Sequence, residues 1–237
     1  MNEREFLKQY DKSAFEQPMF SVDNVVLTLG KGELEVLLVK RGEHPFKDCW
    51  GLPGGFVDLE KDQSIESTAL RKIKEKTGVE PDYIEQLETI GNATRDPRDW
   101  SITTVFTALI AKQRCTPTDE NVVLANWFAV SELSAMTLAF DHTKIIQRAL
   151  KRLRDRATYS LVPCALLGEK FTLSELQKVH ELILGKKLEA KVFRRRVENS
   201  GQFEETGEMT SGRGRPAAYY RLRSGTDAFN FEFIRTV

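Results

Sequence analysis

The spacing of apolar residues predicts strands and helices in alternation over residues 1–150. Residues 22–29 and 34–41 are apolar runs rich in β-branched side chains, and Gly30-Lys31-Gly32 separates them, which predicts a β-hairpin. Three further strands are predicted at residues 83–90, 101–111 and 126–130. One helix is predicted after Ser64, and another from residue 141 to about residue 156. This alternation predicts an α/β sandwich around a mixed sheet.

The C-terminal third of the chain has a different pattern. Thr172 and Glu175 have the spacing of a capping box, which starts a helix that is predicted to end at Gly185. A second helix is predicted over about residues 188–200. Two strands are predicted at residues 202–205 and 217–222. Two helices joined by a short glycine turn and followed by a hairpin predict an α+β winged helix-turn-helix domain.

Stepping the second of these helices at about 100° per residue gives it a basic face. The apolar side of the helix carries Ala190, Phe193 and Val197. The stretch Gly212-Arg213-Gly214-Arg215-Pro216 is predicted to be a basic loop between the strands, suited to a minor groove. The candidate DNA contacts are Thr172, Lys187, Lys191, Arg194, Arg195, Arg213 and Arg215. Simple solvation also produces basic helix faces, so the order of the parts is more informative than any single part.

Net charge is unevenly distributed between the two parts. Residues 1–150 carry 18 Lys and Arg against 24 Asp and Glu, and the remaining residues carry 17 against 11, so a net charge of zero hides an acidic and a basic half. The basic stretch at residues 151–156 is interpreted as a helix end or a linker. We therefore predict two domains, at residues 1–152 and 153–237, of which the basic one suits nucleic acid.

Composition excludes several classes of protein. No apolar run approaches twenty residues, and the charged N-terminus lacks the basic-then-apolar order of a secretory signal. Cys49, Cys115 and Cys164 are scattered without metal-binding spacing, which favours reduced thiols. We expect a cytoplasmic protein without a membrane partner.

The most specific stretch spans residues 52–79 and joins a Pro-Gly-Gly turn to a helix that ends at Gly78. It resembles the Nudix box, in which helix glutamates hold the divalent metals that drive hydrolysis. Here the helix reads Arg71-Lys72-Ile73-Lys74-Glu75-Lys76, so lysines replace two of the three glutamates, and Gln63 stands at the upstream glutamate position. The resemblance predicts a Nudix α/β/α sandwich with a degenerate box at Arg71, Lys72, Glu75 and Lys76.

These replacements change the chemistry of the box. Hard divalent cations need oxygen ligands at short range, and each exchange of a carboxylate for an ammonium changes the local charge by about two units. We therefore predict no catalytic residue, no metal site and no required cofactor. Lys72 and Lys76 could instead face a diphosphate directly, or they could simply solvate an exposed helix face.

Candidate ligand contacts surround this turn. Arg41 ends a predicted strand ahead of the loop that contains His44, and the segment Arg95-Asp96-Pro97-Arg98-Asp99-Trp100 offers two guanidinium groups and an indole for a diphosphate and a base or ribose. Phe20 is a candidate pocket residue or a core residue, and the arginine loop could also be a solvated turn. The full candidate set is Phe20, Arg41, Gly54, Gly55, Lys72, Arg95, Asp96, Arg98 and Trp100.

With the turn, the altered box, the arginine loop and the winged helix in this order, nearly the whole chain resembles the Nudix-related transcriptional regulators of NAD metabolism, the NrtR family. The resemblance implies an ADP-ribose-responsive repressor of NAD biosynthesis or salvage genes, with ADP-ribose as its effector. It also implies a homodimer that binds a palindromic double-stranded DNA operator and dissociates from it when ADP-ribose binds.

Two other functions compete with this interpretation. An active ADP-ribose pyrophosphatase with a C-terminal interaction domain could assemble a metal site from Glu60, Glu66 and Glu75. RNA binding by the basic domain is less favoured, because Tyr219 and Tyr220 are the only adjacent aromatic pair there to stack on bases.

Overall fold

A computed structural model describes residues 2–30, 32–211 and 216–224, and it contains the predicted hairpin. Strands β1 (Met19–Leu29) and β2 (Leu34–Arg41) pair antiparallel, with Leu29 opposite Leu34. Seven consecutive residues of β1 are buried, from Val22 to Thr28. Burial of successive side chains requires a strand covered on both faces, as in the middle layer of a three-layer sandwich.

The first sheet has seven strands and is mixed. Its other strands are β3 (Trp50–Gly51), β4 (Gly54–Phe56), β5 (Tyr83–Asn92), β6 (Ser101–Leu109) and β7 (Val122–Ala129). The order is β3-β2-β1-β6-β5, with β4 added to β1 and β7 added to β2. The central pair, β1 and β6, is parallel, whereas the other pairs are antiparallel. The predicted mixed sheet is therefore confirmed.

Two helices cover the faces of this sheet. On one face, α2 (Ile65–Thr77) packs Ile73 against Val26, and on the other α3 (His142–Tyr159) packs Ile145 in the same core as Val25. A short first helix, α1 (Glu3–Gln9), buries no residue. None of the helices in the described ranges has the length and apolar character needed to cross a bilayer. The predicted α/β/α sandwich is confirmed.

The C-terminal part forms the predicted winged helix. Its elements are β8 (Phe171–Thr172), α4 (Leu173–Leu184), α5 (Ala190–Ser200), β9 (Phe203–Met209) and β10 (Ala218–Leu222). The capping box is present, because the Glu175 N–H donates to Thr172 Oγ1 and the Thr172 N–H donates to Glu175 Oε2. Gly185 and Gly201 end the two helices in the left-handed region, at φ +65° and +66°.

Several boundaries differ from the sequence predictions. Strand β7 begins at Val122, four residues before the predicted start at 126, and α5 begins at Ala190 instead of residue 188. The basic stretch 151–156 lies in the C-terminal half of α3 and reaches its last turn at Arg156, so it belongs to a helix end and is not a linker. The helix extends to Tyr159 because Leu153 and Ala157 are buried in the core.

Helix α3 belongs to both parts of the molecule. Its residues Leu153 and Ala157 share one core with Val179 and Ile183 of α4, and this core continues from the sheet. A separate cluster, centred on Phe193 and Val197 of α5, fills the winged helix. The predicted boundary at 152/153 therefore falls within a helix that packs against both parts.

His180 of α4 makes this junction sensitive to pH. Its ring lies 3.2 Å from the Ala157 carbonyl oxygen through Nδ1, and burial lowers its pKa to about 4. The folded state therefore disfavours the charged ring, and stability is full above the unfolded pKa of about 6.5 and falls as the pH drops towards 4. The loss from this one residue is roughly 3 kcal/mol.

We expect the His180→Gln variant to lose a smaller fraction of its stability between pH 6.5 and pH 4.5 than the unchanged chain, measured by urea unfolding at each pH. Part of the pH dependence of stability remains in this variant, because burial also lowers the pKa of a second histidine, His142. His44→Gln is the matched control at an exposed histidine. Identical slopes for His180→Gln and the unchanged chain would contradict the assignment.

Candidate functional site

A cavity of about 660 Å³ opens beside the Pro-Gly-Gly turn. It is bounded by β1, β2, the turn, the box helix α2 and the arginine loop that precedes β6. The predicted residues that line it are Arg41, Gly54, Gly55, Lys72, Lys76, Arg95, Asp96 and Arg98. The structure thus brings together most of the candidate ligand contacts, although they come from four separate segments.

The two glycines of the turn are required by close approaches. A Cβ on Gly54 would lie 2.3 Å from the Val22 carbonyl oxygen and 2.6 Å from Asp23 Oδ1. Gly55 has φ +156°, and a Cβ there would lie 3.1 Å from Cε of Lys72. The turn therefore presses against β1 on one side, and the stem of Lys72 crosses it on the other.

The box helix uses its remaining glutamate in ion pairs. Arg71 donates to both carboxylate oxygens of Asp62 and, through Nη1, to Glu75 at 3.0 Å, while Lys72 Nζ lies 3.1 Å from the same Glu75 oxygen. Burial raises the pKa of Glu75, but hydrogen bonds from Lys72 and Arg71 outweigh it and leave the pKa below its usual value. Glu75 is thus ionised and already bound by two cations.

Lys76 reaches the cavity from the next turn of α2. Its ammonium lies 3.5 Å from Asp119 Oδ2, and its side chain is 16 % exposed. Burial lowers the pKa of Lys76, and the nearby Asp119 opposes that shift. Within the described ranges, no group of three or more His, Cys, Asp and Glu side chains is placed to hold a metal ion. The donor set of the box therefore does not fit the divalent metals that Nudix boxes hold.

Arg95 is a buried cation in the wall of the cavity. It is 8 % exposed, and its Nη2 donates to Asp23 Oδ2 at 3.0 Å and to Asp141 Oδ1 at 3.1 Å. The Thr103 hydroxyl also donates to Asp23, at 2.8 Å. His142 also belongs to this cluster, because its Nε2 lies 3.6 Å from Asp23 Oδ1. Its Nδ1 accepts from the Leu52 N–H at 2.9 Å. This bond ties the glycine turn to the first residue of α3.

The other cationic residues of the wall are less constrained. Arg98 pairs with Asp96 through both Nε and Nη2 and lies 5.2 Å above the Phe56 ring. Arg41 donates to the Pro45 carbonyl oxygen and lies 5.0 Å above the Phe140 ring, and burial lowers its pKa. Cations backed by aromatic faces suit a ligand that combines phosphate with a base or sugar.

Phe20 and Trp100 do not line this cavity, in contrast to the prediction. Side chains alternate along β1, so Phe20 projects to the opposite face from Ser21, which does line it. Trp100 is 43 % exposed and lies across Gly91 of β5, where a Cβ would come within 2.9 Å of its ring. Proximity in sequence to the arginine loop was a poor guide to where the indole would lie.

Several residues of the wall were not predicted from the sequence, namely Asp23, Phe56, Asp119, Phe140 and His142. Asp23 carried a usable signal, because an acid inside an otherwise apolar buried strand has to be paired. Asp119 and His142 carried none, since they come from a loop and a helix start far from the box in sequence.

The winged helix presents part of the predicted basic surface. Lys191, Arg194 and Arg195 are exposed on α5, and Phe193 and Val197 face its core. Ala190 is exposed rather than buried. Lys187 precedes α5 and lies 2.9 Å from Glu181, so it belongs to the turn between the helices.

Three DNA candidates remain, namely Thr172, Arg213 and Arg215. Thr172 is 6 % exposed and its hydroxyl serves the capping box, so it does not fit the predicted role of a DNA contact. Arg213 and Arg215 lie outside the described residues.

Family models match both parts of the chain. The NUDIX domain model covers residues 19–149, and the model of the NrtR DNA-binding winged helix domain covers residues 163–222. The fold and the site therefore define a Nudix domain joined to a winged helix domain.

Known proteins match the chain over its length. It is 42 % identical over 230 residues to the ADPR responsive transcriptional repressor NtrR of Acinetobacter baylyi, covering 97 % of this chain and 92 % of that protein. Shewanella oneidensis NrtR in complex with a 27mer DNA superposes with a TM-score of 0.84 at 48 % identity, covering 91 % of this chain and 98 % of the other. The NUDIX domain of that NrtR complexed with ADP ribose gives a TM-score of 0.64 at 47 % identity, over 65 % and 99 %. The chain belongs to the NrtR family.

We expect Gly54→Ala to destabilise the protein by about 1–3 kcal/mol, because the new Cβ overlaps backbone and carboxylate oxygens that cannot move freely. Gly168→Ala is the matched control, since a Cβ there meets nothing within 4 Å. Urea unfolding of both variants measures the difference. Equal stabilities would contradict the packing of the turn against β1.

Proposed function

We propose that this protein is an ADP-ribose-responsive, DNA-binding repressor of NAD biosynthesis or salvage genes, with the cavity as its sensor. The observation that carries the proposal is that Lys72 and Lys76 stand at metal-ligand positions of the box helix. Arg71 and Lys72 donate hydrogen bonds to Glu75, the remaining glutamate. A cavity of this kind holds a diphosphate through fixed ammonium and guanidinium groups, while one helix connects it to the winged helix.

Each part of ADP-ribose has a complementary group on the wall. The contacts that we assign to the diphosphate are Lys72, Lys76, Arg95 and Arg98. The rings of Phe56 and Phe140 are those assigned to the base or a ribose. The complex of the related Nudix domain with ADP ribose supports ADP-ribose as the ligand. ADP-ribose acts as the effector, and no other cofactor is required.

The box lacks the means to hydrolyse such a ligand efficiently. Phosphoryl chemistry in a metal-dependent site needs cations bridged to the reacting oxygens, and those cations need free carboxylates. Glu75 accepts from Arg71 and Lys72, so bringing a divalent ion there would first require breaking three charge-assisted hydrogen bonds. The protein is a sensor with at most low residual hydrolase activity.

The winged helix reads the operator. Helix α5 enters the major groove with Arg194 and Arg195 foremost and Lys191 on the DNA backbone. Arg213 and Arg215 remain DNA contacts predicted from the sequence alone. A homodimer on a palindromic duplex doubles these contacts, since two half-sites reinforce each other. The protein acts in the cytoplasm without a membrane partner. Sensing and DNA binding are divided between the two parts that share α3.

The competing function is an active ADP-ribose pyrophosphatase. Asp58, Glu60 and Asp119 line the cavity, although no group of three such side chains in the described ranges is placed to hold a metal ion. A pyrophosphatase would need these carboxylates to converge on a metal that replaces the missing box ligands.

A calorimetric and kinetic comparison separates the two functions. We expect ADP-ribose to bind with the same affinity in excess EDTA and in excess magnesium, because the lysines and arginines serve where the metal would, and we expect no AMP release above the buffer rate. Magnesium-dependent binding, or multiple turnovers, would establish the pyrophosphatase instead.

The recognition helix is tested with a duplex recovered from a random-sequence pool by the unchanged protein. We expect Arg194→Ala to weaken binding to this duplex by roughly 1–3 kcal/mol at fixed salt, with ADP-ribose affinity unchanged. Lys74→Ala, on the outer side of α2 and paired with Glu80, removes the same charge far from α5 and should leave DNA binding as it was. Gel shifts with equal affinities for both variants would rule out α5 as the recognition helix.

A further inference from the structure

Asp141 occupies the N-cap position of α3 but does not cap the helix. Its carboxylate makes no hydrogen bond to the first turn, whereas Ser64 and Thr172 cap α2 and α4 with their side chains. Aspartate is among the best N-cap residues, so an unused cap needs a cause. The cause is Arg95, which takes both Asp141 oxygens, at 3.1 and 3.4 Å.

The backbone at this point is held away from capping geometry. Asp141 has φ −94° and ψ 15°, while the capping residues Ser64 and Thr172 have ψ 165° and 154°. Phe140, immediately before it, has φ +52°, which is unfavourable for a bulky side chain. The Arg95–Asp141 pair thus stands beside a residue whose backbone conformation is unfavourable.

Arg95 has access to space on both sides. It lines the 660 Å³ cavity and also a second cavity of about 500 Å³, which adjoins the start of α3 at Thr143 and Lys144. The Arg95 guanidinium therefore borders space into which it can move towards a ligand, and the first turn of α3 borders the second space.

The far end of the same helix carries the winged helix. Leu153 and Ala157 pack with Val179 and Ile183 of α4, so a tilt of α3 about its first turn displaces α4 with it. A helix of 18 residues is about 27 Å long, and a small rotation at one end becomes a larger shift at the other.

We propose that Arg95 and Asp141 form the joint through which the cavity controls the winged helix: a diphosphate in the cavity draws Arg95 away, and the freed Asp141 caps and reorients α3. This inference rests on the proposed function, since it specifies how the sensor acts on the DNA-binding part. Without ligand, Arg95 bridges Asp23 and Asp141 and holds α3 in the arrangement seen here. With ligand, the anion competes with Asp141 for the same guanidinium.

The test uses the full chain with Asp141→Asn, which keeps an efficient cap but removes the charge that holds Arg95. We expect two changes of opposite sign, namely about tenfold tighter binding of ADP-ribose by calorimetry and weaker binding of the pool-selected duplex. We also expect the factor by which saturating ADP-ribose weakens DNA binding to shrink. A merely damaged fold would weaken both ligands.

Asp155→Asn provides the control, because it breaks an exposed pair with Lys151 on the same helix. It should match the unchanged protein in all three measurements. If Asp141→Asn bound ADP-ribose more tightly but its DNA binding responded as before, Asp141 would act through its charge alone, and the joint would be overturned. Equal affinities of the two variants for ADP-ribose and for the duplex would also overturn it. If ADP-ribose failed to bind the unchanged protein or to affect its DNA binding, the proposed function itself would fall, and the joint with it.

Discussion

The burial of one positive charge organises the sensor part of this molecule. Removing a guanidinium from water costs several kcal/mol unless it is paired, and Arg95 meets that requirement with carboxylates from two different elements. Asp23 lies on the central strand and Asp141 at the start of α3, so the pairing fixes the arginine loop, the sheet and the helix against one another. An anion that enters the cavity therefore approaches a cation that is already paired with carboxylates of the sheet and of α3.

The box helix shows how a small change of residue type alters what a fold can do. The turn and helix retain the close backbone approaches at Gly54 and Gly55, which shape the cavity. Lys72 supplies an ammonium where a metal-binding carboxylate would stand, and it also neutralises Glu75. In the proposed sensor, an ammonium at this position favours phosphate and disfavours a metal ion for the same reason, because both effects depend on the sign of the local charge.

Local signals in the sequence predicted much of this fold. The hairpin, the helix cap at Ser64 and the capping box at Thr172 depend on residues within a few positions of one another, and all three are present. The wall of the cavity depends on contacts such as Arg95 to Asp23, which are 72 residues apart in the chain. No periodicity encodes that pairing, so Asp119 and His142 were missed and Trp100 was misplaced. The extension of α3 to Tyr159 was missed for a related reason, since the partners that bury Ala157 come from α4.

The sharing of α3 between two cores restricts how this architecture can be recombined. Exchange of the winged helix for another output module by a cut at residue 152 would divide Leu153 and Ala157 from the side chains that surround them. A functional chimera would have to carry the whole helix together with the face of α4 that packs on it. As such regulators diverge, the Nudix domain, α3 and the winged helix are thus expected to be inherited together, while the surface of α5 varies.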